Sequence, residues 1–401
     1  MKAVQINAVP YGSTGRIMFQ LADRVDADGG EALCAAGFTW QGCRRKDFVL
    51  TGGLLAKTAH MYLARLTGRI GCFSALPTAK LLRRIGEFQP DVIHLHNLHG
   101  WFIQLPMLFS WLKKHDIPVV WTLHDCWAFT GHCPHFAMAG CEKWKTGCGG
   151  CSQYRDYPRS WFDCSAAMWK KKKAWFTGVK DLTIVTPSQW LADRVGESFL
   201  KDYPVRVVHN GIDRSVFRPT DSGFREKHHC GDKFILLGVA FDWGARKGLD
   251  VFIELAKRLD GRYRIVLVGT NETVDRELPE NIISIHRTQD QRELAEIYSA
   301  ADLFVNPTRE DNFPTVNLES LACGTPVLTF RTGGSPEAID ETCGAVVDCG
   351  DIDALEREIS RIERERPFTR EACVKRAAGF DAKERFEEYI RLYKAVMDKQ
   401  K

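Results

Sequence analysis

The stretch D-N-F-P-T-V-N-L-E, Asp311 to Glu319, runs on into S-L-A-C-G-T-P-V, Ser320 to Val327. Apolar runs near 302–306 and 326–330 flank it, so it reads as the loop and helix of a strand–helix–strand unit. Seven residues lie between the two carboxylates. The first stands just past the strand and the second one turn into the helix, so both can face one cleft. Asn312, Phe313, Pro314 and Thr315 lead into that helix, whose first N–H groups lack intrahelical partners and sit at the positive end of its dipole. Carboxylates for hydroxyls beside amides for phosphate imply a nucleotide-sugar site.

Outward from this unit, short apolar or β-branched runs alternate with helix-period segments along the whole chain. Strands are expected near 2–8, 31–38, 92–96, 119–125 and 182–187, and again near 234–240, 263–269, 302–306, 326–330 and 345–348. Gly248 to Leu259 places Leu249, Phe252, Ile253, Ala256 and Leu259 on one helical face. The expected fold class is α/β, with two Rossmann-like doubly wound domains. The turn-rich segment between Pro187 and Pro219 marks their boundary. Residues 1–200 form the first domain with a cysteine-rich insertion at 126–151, and 201–375 form the second. Residues 376–401 form a terminal helical segment whose stripe Phe386, Tyr389, Ile390, Tyr393 and Val396 must dock, on this reading against the first domain.

The 401 residues suit two cores of about 150 to 200 residues each. A composition 44% hydrophobic and 26% charged is that of an ordinary globular chain. No apolar run reaches transmembrane length, and M-K-A-V-Q-I-N-A-V followed by P-Y-G-S-T-G reads as a first buried strand, not a signal peptide. A cytoplasmic protein is expected. A net charge of +4 among 106 charged residues, with no basic stripe, argues against nucleic acid as a partner.

Several motifs follow strands where ligands collect in such sheets. Gly12 to Ile17 opens a helix after the first strand, and its glycines suit either a phosphate or a tight turn. His124 and Asp125 end the T-L-H-D strand; the histidine suits a sugar hydroxyl or a helix cap. His94, His96 and His99 stand nearby without an individual role. Arg246 and Lys247, in G-A-R-K-G, suit a diphosphate leaving group or a solvated turn. Gly333-Gly334-Ser335-Pro336-Glu337 reads as a glycine turn opening a helix, with Glu337 as its cap.

The run from Glu310 to Val327, with T-L-H-D, H-N-G-I-D, R-K-G and G-G-S-P-E-A-I in this order, resembles the retaining nucleotide-sugar glycosyltransferases of family 4, which have the GT-B fold. The resemblance spans nearly the whole chain. It implies that Glu319 binds the nucleotide ribose, Asp311 replaces the glutamate that contacts the donor sugar, Lys247 holds the diphosphate, His124 faces the sugar and Gly15 approaches the phosphates. It also implies front-face transfer with retained configuration and no catalytic metal. Two positions depart from the pattern. Asp311 is one methylene shorter than the usual glutamate, and the arginine that normally precedes the lysine is represented only by Arg246.

Cys133, Cys141, Cys148 and Cys151, ending in C-G-G-C, have the chemistry of a tetrahedral structural zinc site, with Cys126, His132 and His135 as substitutes; a loop of reduced cysteines is the other reading. This stretch also resembles that of exopolysaccharide-cluster members such as the colanic-acid glycosyltransferases, which implies a saccharide acceptor, lipid-linked as surface polysaccharide acceptors usually are. Lys170 to Lys173, with Trp169, Trp175 and Phe176, then suit either peripheral association with the inner face of the membrane or a solvated helix. A nucleotide-sugar binder without activity is the competing function, and a zinc-containing nucleic-acid module a more distant one.

Overall fold

The computed structural model describes residues 1–39 and 45–399. Its contacts divide the chain into two units, one from Met1 to Val208 rejoined by the residues from Phe386 onward, the other from His209 to Arg385. The division thus falls inside the last helix, Ala382–Asp398.

In the first unit the strands β1 (Lys2–Asn7), β2 (Glu31–Ala36), β3 (Phe48–Leu50), β4 (Val92–Leu95), β5 (Val119–Thr122), β6 (Leu182–Thr186) and β7 (Val205–Val207) form a parallel sheet in the order β3-β2-β1-β4-β5-β6-β7. In the second, β8 (Phe234–Val239), β9 (Tyr263–Val268), β10 (Ile282–Ile285), β11 (Leu303–Asn306), β12 (Val327–Phe330) and β13 (Gly344–Val347) are parallel in the order β10-β9-β8-β11-β12-β13. Each sheet is doubly wound, with its order reversing between β1 and β4 and between β8 and β11. All ten expected strands form. The three others, β3, β7 and β10, are edge strands of three or four residues.

Alternate side chains of the central strands enter separate cores, because successive Cβ atoms point to opposite sheet faces. Val4 and Ile6 join one core while Ala3 joins the other; Ile235 and Leu237 face away from Phe234 and Leu236 in the same way. The helix Leu249–Arg258 buries Leu249, Phe252 and Ala256 as its spacing predicts, but Val251 and Leu255 are buried as well and Ile253 is only half covered. Gly248, at φ +77°, starts it, and a Cβ there would lie 2.5 Å from the Pro307 carbonyl oxygen. Only glycine lets the R-K-G turn pass so close to the loop after β11. On the first sheet, Tyr389, Ile390, Tyr393 and Val396 of the last helix share a core with Met18, Leu21 and Val25 of the helix Gly12–Ala27.

Candidate active site

In the second unit the loops after β8 and β11 leave neighbouring strands at the reversal point, which brings distant sequence positions together. Lys247 closes the 3-10 turn Ala245–Lys247 and places Nζ 2.5 Å from Asp311 Oδ2. Their side chains are 15% and 21% exposed, so the pair is shielded yet reachable. The Arg309 N–H donates to the Arg246 carbonyl at 2.9 Å, and the Arg309 guanidinium donates to both Asp250 oxygens at 2.8 and 2.7 Å, bracing the Lys247 turn against the Asp311 loop. Gly333, at φ +52°, lies on the other side of that loop. A Cβ on it would stand 1.7 Å from the Asp311 carbonyl oxygen, and the Gly334 N–H donates to the same oxygen at 3.3 Å.

The helix expected after Gly334 is only the four-residue 3-10 turn Ser335–Ala338. The Asn317 amide donates to both the carbonyl and the hydroxyl oxygen of Ser335, drawing that carbonyl away from a helical bond. Glu337 sits 3.4 Å from His209 Nε2. The helix Thr315–Ala322 has Pro314 at its N-cap and no side-chain cap. Asn312 and Phe313 are buried, the Phe313 ring packing on His209 and Phe380, so Phe313 contributes position instead of a surface. Glu319 Oε2 accepts the Tyr298 hydroxyl proton at 3.2 Å. Burial first, then the Glu319 charge, holds the Tyr298 phenol well above its usual range, so it stays a donor. Asp311 and Glu319 therefore have different partners. Arg246 is 3.6 Å from Asp242, and its backbone carbonyl is what the Asp311 loop uses. A cavity of about 630 Å³ borders this turn at Trp243, Gly244 and Leu249.

In the first unit, three histidines form a ladder under the ends of β4 and β5. Gln5 Nε2 donates to the Tyr393 hydroxyl at 3.0 Å, which leaves that O–H to donate to His94 Nδ1 at 2.5 Å. Gln5 Oε1 then accepts from His96 Nε2 at 2.9 Å, so His96 Nδ1 accepts from His124 Nε2 at 3.1 Å. One set of protons satisfies the chain with every ring neutral and makes Nδ1 of His124 the acceptor. Burial lowers all three, His124 to about 4 and His94 and His96 well below their usual value. Asp125, whose charge acts against burial at His124, accepts from His99 at 2.6 Å and from the Trp127 N–H at 2.8 Å. Burial would raise its pKa, but the His99 charge and hydrogen bond outweigh that and hold it at about 2. At Gly15 a Cβ would meet the Pro10 carbonyl carbon at 2.5 Å, so this glycine has a packing reason of its own.

The profile described as glycosyl transferases group 1 matches residues 224–380, and that described as glycosyltransferase family 4 matches 58–216. The chain belongs to glycosyltransferase family 4. The transferase is 25% identical over 76% of both chains to WcaC of Escherichia coli (strain K12), a protein named for glycosyl transfer in colanic acid biosynthesis. Its fold matches sucrose-phosphate synthase from Thermosynechococcus elongatus at a TM-score of 0.74, with 17% identity and 99% of both chains covered. It also matches Anabaena HepE in complex with UDP and glucose at 0.68, with 14% identity, covering 98% of this chain and all of that one. Both show the GT-B fold.

The cysteine-rich segment of the transferase is held by means its sequence did not suggest. Trp127, Phe129, Phe136 and Trp144 are buried in the first unit's core, with Phe136 stacked on Trp144. Lys172 is fully buried; its Nζ donates to the Trp127 and Thr130 carbonyls at 2.7 and 3.0 Å and lies 3.3 Å from the Trp127 ring centroid. Cys133, Cys141, Cys148 and Cys151 border one cavity of about 560 Å³, and Cys148 Sγ accepts the Gly131 N–H at 3.2 Å. Among the described residues no three His, Cys, Asp or Glu side chains are placed to hold a metal ion.

The same burial corrects the expected basic and aromatic face at Lys170–Lys173. Lys172, Trp169 and Phe176 point into the core, and only Lys170, Lys171 and Lys173 are exposed. Sequence reading also missed Arg309, Tyr298, Asn317 and Gln5. Arg309, beside E-D-N-F-P, and Asn317, inside the Asp311–Glu319 stretch itself, stand close enough to a recognised motif to have been found.

Proposed function

We propose that this transferase moves a sugar from a nucleotide-diphosphate sugar to a saccharide hydroxyl, with retention and without a catalytic metal, in the assembly of a cell-surface polysaccharide. The Lys247–Asp311 pair carries the reading: a cation and a carboxylate are held together at the reversal point of the second sheet, beside a glycine turn. When the sugar–phosphate bond breaks, negative charge grows on the departing diphosphate, and Lys247 together with the first N–H groups of helix Thr315–Ala322 supplies the complementary charge. Glu319 binds the ribose, Asp311 a sugar hydroxyl. On the family resemblance, His124 and Gly15 act on the donor from the first unit. HepE, of the same fold, was crystallised with UDP and glucose, and WcaC is named for colanic acid, which supports a nucleotide donor and a polysaccharide product. A lipid-linked acceptor at the cytoplasmic face of the membrane fits that task.

Release of nucleoside diphosphate from a panel of nucleotide sugars tests this, using Glu319→Gln beside Glu319→Ala. Glutamine keeps an acceptor for Tyr298, so a loss of transfer of about a hundredfold in both variants separates chemistry from folding. Full activity in either would refute the ribose role; donor binding without turnover, even with acceptor, would leave a binder.

Zinc at Cys133, Cys141, Cys148 and Cys151 remains a proposal from the chemistry of four thiols bordering one cavity; in the structure no three of them are gathered as ligands, so binding would have to draw them together. Metal analysis of the purified protein that finds no zinc would remove it.

A further inference from the structure

The helix Leu54–Thr67 is docked inside out. It buries Lys57 and His60: Lys57 Nζ donates to the Gly37 carbonyl at 2.5 Å, and the His60 ring joins Ser74 Oγ at 2.6 Å and the Gly71 N–H at 3.2 Å. Outward it presents Leu55, Tyr62, Leu63 and Leu66, at helical spacing, with Leu55 87% exposed. Leu54, 78% exposed, and Leu76, 67% exposed, extend this face, and Leu76 also lines an adjoining cavity of about 630 Å³ with Leu50, Phe73 and Pro77. An apolar stripe turned outward while a lysine is buried is the reverse of what folding alone selects.

Along the chain the charges of this stretch have one sign between Asp47 and Glu87, and the Glu87 carboxylate lies 3.7 Å from both Arg83 and Arg84. From Phe48 to Gly86 the chain contains Lys57, Arg65, Arg69, Lys80, Arg83 and Arg84 and no acidic residue. Of these, Arg69, Lys80, Arg83 and Arg84 are exposed. Leucines to enter an acyl layer and cations to meet phosphate headgroups are the two signals that stable peripheral binding requires.

We propose that this face, helix Leu54–Thr67 with the Leu76, Lys80, Arg83 and Arg84 side of helix Ala75–Phe88, docks the protein on an anionic lipid bilayer. The proposal deepens the reading of a lipid-linked acceptor, but its test needs neither donor nor acceptor, so it can fail without the transferase reading failing.

Purified protein is sedimented with vesicles of phosphatidylglycerol and phosphatidylethanolamine, or of phosphatidylcholine alone. Binding to the anionic vesicles, reduced by salt and absent from phosphatidylcholine, is expected. Leu55→Glu with Leu66→Glu should weaken it at least about tenfold, and Lys80→Glu with Arg83→Glu and Arg84→Glu to a similar degree. Lys171→Glu, on the other basic helix, should change it less than about twofold. Thermal melting confirms that each variant is folded. No binding by wild type, or equal binding by the leucine variant, overturns the proposal. So does a wild-type dimer that Leu55→Glu dissociates, which would make the face a contact between copies.

Discussion

The Lys247–Asp311 pair leads to opposite effects for its two members. In the free protein Asp311 occupies the cation that the diphosphate needs, at 2.5 Å and largely out of water. Two unit charges about 4 Å apart attract by about 4 kcal/mol at an effective dielectric near 20. Desolvation and the partial exposure of both groups leave about 1 to 2 kcal/mol of that as the cost of recruiting Lys247 to a ligand. Asp311→Asn should therefore tighten binding of the matching nucleoside diphosphate by roughly 5- to 30-fold, even though transfer falls because a sugar contact is lost. Lys247→Met should weaken the same binding about a hundredfold, the usual scale for removing one charged donor. Titration calorimetry with UDP, GDP and ADP reads both, and the double variant should bind like Lys247→Met alone. If Asp311→Asn binds no more tightly than wild type while Lys247→Met binds weakly, the carboxylate does not compete for the lysine. If Lys247→Met binds normally, the diphosphate lies elsewhere.

Burial holds His60, His124 and His132 at about 4 in the folded protein, against about 6.5 when unfolded. The unfolded chain binds more protons between those values, so the stabilisation is complete above pH 6.5 and is lost as pH falls toward 4, by up to about 1.4 kcal/mol per pH unit for each ring. The urea midpoint of the first unit should drop between pH 7 and pH 5, above the carboxylate range; an unchanged midpoint would contradict the neutral histidines. Lys172→Met strips a donor from the Trp127 and Thr130 carbonyls and should cost about 2 kcal/mol, with hydrogen exchange rising across 126–151; unchanged protection there would show that the aromatic cluster alone holds the segment.

The central strands were legible because parallel strands buried on both faces must be continuous apolar runs, as in Phe234–Val239 and Val119–Thr122. Phe48–Leu50, Val205–Val207 and Ile282–Ile285 offer apolar runs of only two or three residues, the last two broken by Arg206 and Ser284, too short to stand out as strands. Asp311, Lys247 and the glycine turn could be recognised as motifs, and the reversal of strand order explains why they meet. Which cation would pair with which carboxylate depended on side-chain reach across two loops, which no spacing encodes. The stripe on the last helix was visible as apolar, but its two tyrosines also carry hydroxyls that hydrogen-bond Gln5, His94 and Thr122.

That last helix also sets an order of events during synthesis. Tyr393 completes hydrogen bonds beneath the first strand, yet it follows Val208 by the whole of the second unit. At about 5 to 20 residues per second, roughly 10 to 35 s pass between the two. During that interval the second unit is being made, while the first waits with Gln5 and His94 uncovered by the segment that pairs them. A chain released after residue 385 would hold one complete domain and one open one, a truncated product that a chaperone could distinguish from the full-length protein.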